Sequence, residues 1–531
     1  MSQTNEVAVV EQSVGELFDR TATAHPELTA LVDGPTGAAV TYRELAARVD
    51  VLARWLGAIR IGPGDRVATW APNVPPVAAF TLAALRLGIA VTGVNPASTD
   101  SEVARQFEDA GVAAVLTTAQ LADRAAALGV RHVLALGDTR AGTSLEDVLA
   151  PPALARPAHD PAIPPVAVDA DSLALLPYSS GTTGLPKGVM LTHRNLLAVL
   201  EQLRQRLDVG ERDVTLAVAP FFHILGATAA MLLPLTTGAT VVTMSQFDPL
   251  DLLRLLDQHR VTYLAVPPPV AGILATHPAV DAHDLSALQL LASGGAPLSP
   301  DLQNRLQERF PDCAIGQGWG LTETGGAVAI PDRRAGAVAI PDRRAGAAPG
   351  TVGRPLPGTE VRAVDPRSGS PRPAGHDGEL EVRGPQVMEG YLGRPTETAA
   401  ILRPGGWLRT GDLGHLDPAG NVVIVDRLKD LIKVKGFQVA PTEIETELMA
   451  HPAVADAAVV GGPDERTGEV PVAFVVLRAA LDGGQRHNLA DWLRGRLAPY
   501  KQPAAIHVVD HLPRTPSGKL LRRDLGESIN R

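Results

Sequence analysis

Tyr178-Ser179-Ser180-Gly181-Thr182-Thr183-Gly184-Leu185-Pro186-Lys187-Gly188 is the stretch on which the reading of this chain turns. From Ser179 to Gly184 every residue is Ser, Thr or Gly, and a lysine follows at 187. Ahead of it, Leu173-Ala174-Leu175-Leu176-Pro177 reads as a short buried strand. Behind it, Thr192 is a candidate N-cap for a helix through Asn195-Leu196-Leu197-Ala198-Val199-Leu200. Glycines let a backbone curl close to an anion, hydroxyls and amides donate hydrogen bonds, and a lysine adds charge. A strand, such a loop and a helix in that order predict a phosphate grip. It is not a Walker loop, which needs Gly-Lys followed by Ser or Thr; Lys187 follows Pro186, and Gly518-Lys519 is followed by Leu520. A flexible polar loop could share this composition, but the closing Pro186-Lys187-Gly188 is more specific.

Outward from the loop, strands and helices alternate. Thr29-Ala30-Leu31-Val32, Arg66-Val67-Ala68-Thr69, Ala90-Val91-Thr92 and Ala114-Val115-Leu116 read as strands between Ala/Leu-rich helices. Thr41 with Glu44 three residues on forms a capping box. After the loop, segments beginning at Thr215, Thr240, Tyr263, Leu288 and Ala314 are strands, several of them stopped by Gly or Pro turns with polar tips. This rhythm predicts an α/β fold with parallel sheets and ligand sites at the carboxyl ends of the strands. Residues 150–168, rich in Pro and Ala, read as a connecting segment. Residues 350–425 change to short β-strands, and residues 439–508 to a small α/β unit. A boundary is expected at residues 426–429, dividing the chain into 1–426 and 427–531.

The 531 residues carry a net charge of −10, with 45% hydrophobic and 20% charged residues. That balance is ordinary for a globular protein and argues against a nucleic-acid or anionic-membrane partner. Any anionic ligand must be held by local positive charge. The single cysteine, Cys313, reads as a core thiol; it permits no internal disulfide and suits a reducing, cytoplasmic setting. No signal peptide is evident, and the most apolar stretch, residues 227–235, is too short to span a bilayer. Residues 327–336 (Ala-Val-Ala-Ile-Pro-Asp-Arg-Arg-Ala-Gly) recur unchanged at 337–346. A single tandem copy is too short for a solenoid and reads as a duplication in a loop, near enough to Glu323 to shape a neighbouring wall.

Seven motifs in order resemble the adenylate-forming superfamily of acyl- and aryl-CoA synthetases, luciferases and nonribosomal-peptide adenylation domains. They are residues 178–188, Pro220-Phe221-Phe222-His223-Ile224, Ser293-Gly294-Gly295-Ala296-Pro297, residues 317–323, Gly411-Asp412-Leu413, residues 426–438 and residues 513–519. The resemblance covers essentially the whole length and is strongest to the 4-coumarate–CoA ligase and acyl-CoA synthetase group. It implies two α/β sheet subdomains and a small β-barrel-like subdomain in a large N-terminal domain, followed by a small mobile α+β C-terminal domain. It also implies ATP, Mg2+ and coenzyme A, with a small carboxylic acid as substrate. The acid would attack the α-phosphate of ATP, releasing pyrophosphate, and a thiol would then displace AMP.

On that resemblance, Ser179, Ser180, Gly181, Thr182, Thr183, Gly184 and Lys187 would cradle the outer phosphates, and Gln317, Gly318 and Trp319 would form the adenine floor. Thr322 would bond the α-phosphate and Glu323 would bind Mg2+. Asp412 would accept the ribose hydroxyls, supported by Arg427. Lys519 would bridge carboxylate and α-phosphate in the first step. Lys435 and Gly436 would face coenzyme A, while Lys433 and Gln438 would contact the adenylate or assist transfer after rotation about a hinge at Lys429. Phe222, His223, Leu225, Gly294, Gly295 and Ala296 would line the acid pocket, with His223 gating the thiol tunnel.

Hydroxycinnamate ligases commonly carry Tyr where this chain has Leu225, so the pocket reads as apolar and open. A cinnamate-like, phenyl-substituted or medium-chain acid is expected rather than 4-coumarate alone. The rival acceptor is a carrier-protein thiol, but Arg427 runs to Lys435 without the insertion usual in such ligases, and no carrier domain follows Arg531. A luciferase-like oxygenase has no marker here, and a non-catalytic nucleotide sensor would not need Lys519.

Overall fold

The computed structural model describes residues 13–150, 167–179, 186–333, 351–434, 437–464, 468–478, 483–515 and 519–529. The expected phosphate-loop residues Ser180, Gly181, Thr182, Thr183 and Gly184, the pair Lys435 and Gly436, the side chain of Gln438, the second decapeptide copy and most of the Pro/Ala-rich connector lie outside them.

Two large sheets dominate. The first has seven strands in the order Ala314–Gln317, Leu290–Ser293, Tyr263–Val266, Val214–Ala217, Thr240–Thr243, Thr29–Asp33 and Ala39–Thr41. All neighbours are parallel except the last pair. Tyr263–Val266 is buried at every position, as expected of a parallel strand covered on both faces. The second sheet has nine strands, and its path runs from Gly390–Tyr391 through Lys187–Thr192, Leu173–Leu175, Ala90–Gly93, Arg66–Trp70, Val112–Thr118 and His132–Leu136 to Thr143–Ser144. Helices Val14–Ala24, Tyr42–Ala58, Pro75–Arg86 and His193–Leu207 contribute to one apolar core that takes residues from both sheets, including Val91 and Leu116 of the second and Val241 and Ala265 of the first.

Local signals fix the helix starts. Ser13 with Glu16, Thr41 with Glu44, Thr99 with Glu102 and Thr192 with Asn195 each form a reciprocal cap. Each is worth about 1 kcal/mol. The strand before His223 ends at Ala217, and a π-helical segment, Gly226–Leu232, follows before the α-helix Leu233–Thr237. A Cβ at Gly226 would lie 2.0 Å from the Pro220 carbonyl oxygen, so this turn requires glycine. No helix among the described residues is long and apolar enough to cross a membrane.

The β-rich stretch is a five-stranded antiparallel sheet of Glu360–Val364, Gly378–Arg383, Trp407–Leu416, Leu402–Arg403 and Val422–Arg427. Trp407–Leu416 alternates in burial, which turns Leu408, Thr410 and Asp412 to the inner face. A smaller α+β domain follows, with strands Ile432–Val434, Phe437–Val439, Val454–Asp464, Gly468–Leu477 and Ala505–Val508. The junction is tied by Asp426, whose carboxylate accepts the Thr442 N–H at 2.9 Å, beside the helix Pro441–Met449.

Candidate active site

The glycine loop leaves and re-enters the second sheet through a short antiparallel ladder, with Ser179 opposite Lys187 and Tyr178 opposite Gly188. Tyr178 anchors the entry by donating its hydroxyl to Asp109 at 2.7 Å. Lys187 is 9% exposed, and its ammonium lies 4.7 Å from the centroid of the Tyr391 ring. Tyr391 comes from the neighbouring strand, where Val189 pairs with Tyr391 and Met190 with Gly390. Its hydroxyl donates to Glu323 Oε1 at 2.7 Å, and Ser179 Oγ donates to the same oxygen at 3.2 Å. Burial and the Glu323 charge push the Tyr391 hydroxyl well above the usual tyrosine range, so it remains a proton donor at neutral pH. Glu323 sits in the 3-10 turn Thr322–Thr324, which also carries Thr322.

The same segment reaches a second polar cluster. Trp319 donates its indole N–H to Asp412 Oδ2 at 2.8 Å, and Arg427 Nε lies 2.7 Å from Asp412 Oδ1. Asp412 and Arg427 are cross-strand partners, which brings the charges together. Asp412 is 2% exposed; burial raises its carboxyl above the ordinary range, while Arg427, Trp319 and Lys519 oppose the shift. Trp319 is itself buried among Val328, Ala329, Val352 and Val382. Its N–H edge is committed to Asp412, a use that the expectation of an adenine-stacking ring did not include. Gln317 is likewise occupied: its Oε1 accepts the Leu298 N–H at 2.9 Å, and its Nε2 donates to the Thr351 carbonyl at 3.4 Å. Gly318 donates its N–H to the Ser293 carbonyl at 2.7 Å, joining two strand ends.

His223 follows the first sheet's strand Val214–Ala217 and faces residues of the second sheet. Its Nδ1 accepts the Leu225 N–H at 3.3 Å, which leaves Nε2 as the protonated nitrogen of the neutral ring. Burial, assisted by the Lys519 charge, lowers its pKa to about 4. Phe222 and His223 face a small, largely apolar cavity of about 20 Å3 together with Thr69, Val91 and Leu175 of the second sheet. Leu225 turns the other way: a Cβ placed on Gly294 would meet the Leu225 side chain at 3.8 Å and the Gly318 carbonyl oxygen at 3.9 Å. The expected pocket residues therefore divide between two sides of the turn. Gly295 has φ +83, the left-handed region that favours glycine, and Ala296 is half-buried beside it.

Lys519 belongs to the small domain, where its N–H donates to the Thr515 hydroxyl at 3.0 Å. Its charge bears on two groups of the large domain, lowering His223 and opposing the rise at Asp412. Lys519 is an exposed residue, yet desolvation of its ammonium first, then Arg427 and Lys429, hold it below the usual lysine range against the opposing pull of Asp430 and Asp412. Lys433 is exposed, and its backbone N–H donates to Glu469 at 2.6 Å.

Residues 18–392 match the family model described as AMP-binding enzyme, and residues 443–519 match that of the AMP-binding enzyme C-terminal domain. The chain belongs to the AMP-binding enzyme family. It is similar to other members over nearly its full length. It is 38% identical to 4-coumarate–CoA ligase 5 of Oryza sativa subsp. japonica, covering 96% of this chain and 93% of that ligase. ATP-bound MatB from Rhodopseudomonas palustris aligns with a TM-score of 0.86 at 31% identity, over 97% of this chain and 99% of that one. The o-succinylbenzoate CoA synthetase MenE from Bacillus subtilis, in complex with the acyl-adenylate OSB-AMP, aligns at 0.79 and 28%, over 97% and 98%.

Within this AMP-binding enzyme, Ser179, Lys187, Thr322 and Glu323 gather at one corner, and Trp319, Asp412 and Arg427 at another. Tyr391 and Asp109 were not among the expected residues. Tyr391 lies in a two-residue strand with no glycine loop or charge run to mark it.

Proposed function

We propose that the protein is an ATP-dependent carboxylic acid–CoA ligase. It activates a cinnamate-like, phenyl-substituted or medium-chain acid as acyl-AMP and then transfers the acyl group to coenzyme A. The observation that carries this reading is the buried Lys187 ammonium and the Glu323 carboxylate brought to opposite parts of one Tyr391 ring, 4.7 Å from its centroid and 2.7 Å from its hydroxyl. An anionic nucleophile must approach a polyanion, and a cation aimed at the developing charge is the chief requirement.

In the first step a carboxylate oxygen forms a bond to the α-phosphorus while the bond to the β-phosphate oxygen breaks, releasing pyrophosphate. Lys187 neutralises outer phosphates, Thr322 donates to the α-phosphate, and Lys519 bridges the carboxylate and the α-phosphate. Asp412 accepts the ribose hydroxyls, its own carboxylate held by Arg427 and Trp319. In the second step the thiol sulfur attacks the acyl carbon and AMP leaves. Neutral His223 borders the thiol's path, and the small domain turns about Lys429 to exchange Lys519 for the face carrying Lys433, Lys435, Gly436 and Gln438. In this division the large domain spans residues 1–426 and the small one 427–531.

Among the described residues no group of three or more His, Cys, Asp and Glu side chains is assembled to hold a metal. A single carboxylate beside a hydroxyl, as at Glu323 and Ser179, instead suits Mg2+, which binds through one or two carboxylates and substrate phosphates. Glu323 would hold it, and when bound it supplies charge neutralisation on the phosphates.

Beside Gly294, where a Cβ would meet the Leu225 side chain at 3.8 Å, the wall offers an acid apolar contact and no side-chain partner for a ring hydroxyl. AMP release measured over aromatic and aliphatic acids, with and without coenzyme A, tests the assignment. Turnover of several unsubstituted acids that requires coenzyme A is expected. Activity confined to 4-coumarate would overturn the pocket reading, and an equal rate without coenzyme A would overturn the acceptor. The buried free thiol of Cys313 fits a cytoplasmic setting; recovery in a secreted fraction would contradict it.

A further inference from the structure

We propose that Tyr391 is a positioning residue that couples the metal-binding carboxylate to the phosphate-binding lysine. The inference rests on the adenylation reading of the site and extends it to a residue outside the family motifs quoted above. Tyr391 is 7% exposed and uses two different parts of one ring. Its hydroxyl donates to Glu323 Oε1 at 2.7 Å, and its π face lies 4.7 Å below the Lys187 ammonium.

The backbone fixes both contacts. Tyr391 is paired with Val189, two residues beyond Lys187, and the Leu392 N–H donates to the Gly188 carbonyl at 2.9 Å. On the other side, the Met388 N–H donates to the Glu323 carbonyl at 2.9 Å, so the segment before Tyr391 also holds the turn that carries Glu323. Glu323 Oε1 thus takes two donors, Tyr391 and Ser179, while Oε2 takes none among the described residues. A carboxylate tethered by one oxygen presents the other in a fixed direction, so less ordering remains when a hard cation and a triphosphate arrive. The aromatic face keeps Lys187 extended without consuming any of its three N–H donors.

The two functions of the ring are separable. Tyr391→Phe keeps the face and removes the donor. Tyr391→Leu removes both. The experiment measures equilibrium binding of ATP alone and of ATP across a magnesium chloride titration, in the full-length protein, with thermal melts confirming folding. Tyr391→Phe is expected to raise the Mg2+ concentration for half-maximal enhancement of ATP binding about tenfold, the scale of a charge-assisted hydrogen bond. Its affinity for metal-free ATP stays within about twofold of the parent. Tyr391→Leu weakens metal-free ATP binding as well, about three- to tenfold. In a Glu323→Gln background, Tyr391→Phe adds no further change in Mg2+ dependence.

An unchanged Mg2+ dependence in Tyr391→Phe overturns the proposal. So does an equal loss of metal-free and Mg2+-dependent affinity, which marks a general packing defect. An undiminished effect in the Glu323→Gln background overturns the coupling. Failure of the unsubstituted protein to bind ATP under either condition would instead sink the adenylation reading itself, and this inference with it.

Discussion

The two polar corners of the site are built on opposite plans. At the Asp412 corner both carboxylate oxygens are taken, one by Arg427 and one by the Trp319 indole. At the Glu323 corner both donors fall on one oxygen, and the other has no partner among the described residues. A buried carboxylate with both oxygens occupied is costly to disturb and already points where it must. A carboxylate with an open oxygen beside a buried lysine has valency left for a ligand to complete. The difference assigns pre-organisation to the first corner and ligand-completed binding to the second, although both hang on one segment from Trp319 to Glu323.

The comparison is tested most severely at Lys519, the small-domain cation proposed to serve the first step. Lys519→Ala is expected to cut acid-dependent pyrophosphate release about a hundredfold or more, because it removes a donor at the developing charge. Thioester formation from supplied acyl-AMP should persist. Equal loss of both half-reactions would show that Lys519 is needed generally and not for the first step alone.

A smaller effect is expected at the occupied corner. Trp319→Phe removes the indole N–H and leaves Asp412 Oδ2 buried without that donor, at a cost of about 1–3 kcal/mol. In a chain of this size the melting temperature should fall by roughly 1–3 °C. ATP affinity should fall several-fold with no change in Mg2+ dependence, the reverse of the Tyr391→Phe pattern. A shifted Mg2+ dependence in Trp319→Phe would erase the distinction between the corners.

The smallest effect concerns two desolvated histidines, half-buried His223 and fully buried His193. Burial lowers both His223 and His193 to about 4. Their unfolded value is about 6.5, so their neutral forms support the fold fully above that pH. That support is lost as pH falls from about 6.5 to about 4, because the unfolded chain takes up protons first. The melting temperature should decline across this window, and less steeply in His193→Gln, with the ATP-binding profile unaltered. A flat profile in the parent protein would contradict the desolvation of both rings.

Much of this architecture is legible in the chain. The caps at Thr41 and Thr192 are local and lie where their spacing puts them. The Gly/Pro-stopped strands converge because parallel strands must end on one edge of their sheet, which brings Ser293 beside Gln317. What was not legible depends on partners far away in sequence. Nothing near Tyr391 reports that Val189 is its neighbour, so its double contact is invisible before the sheet forms. The composition of residues 317–320 announces an aromatic ring but not which edge is spent, and Trp319 and Gln317 both turned inward. Phe222 and Leu225 are three residues apart, yet the turn closed by Gly226 sends them to different sides, which a motif cannot encode.

The duplicated decapeptide acquires a sharper meaning from the seat of its first copy. Arg333 there pairs with buried Asp213 at 3.1 Å and donates to Gln289 at 2.6 Å, while Ala329–Ile330 pairs with Arg354–Pro355. The second copy spells the same ten residues, so it offers the same side chains to that seat. Deleting residues 327–336 and deleting residues 337–346 produce one and the same polypeptide. The duplication therefore adds no new chemical word to the chain. It lengthens the sequence between Arg333 and the strand Arg354–Pro355 by ten residues whose side-chain types the first copy already supplies.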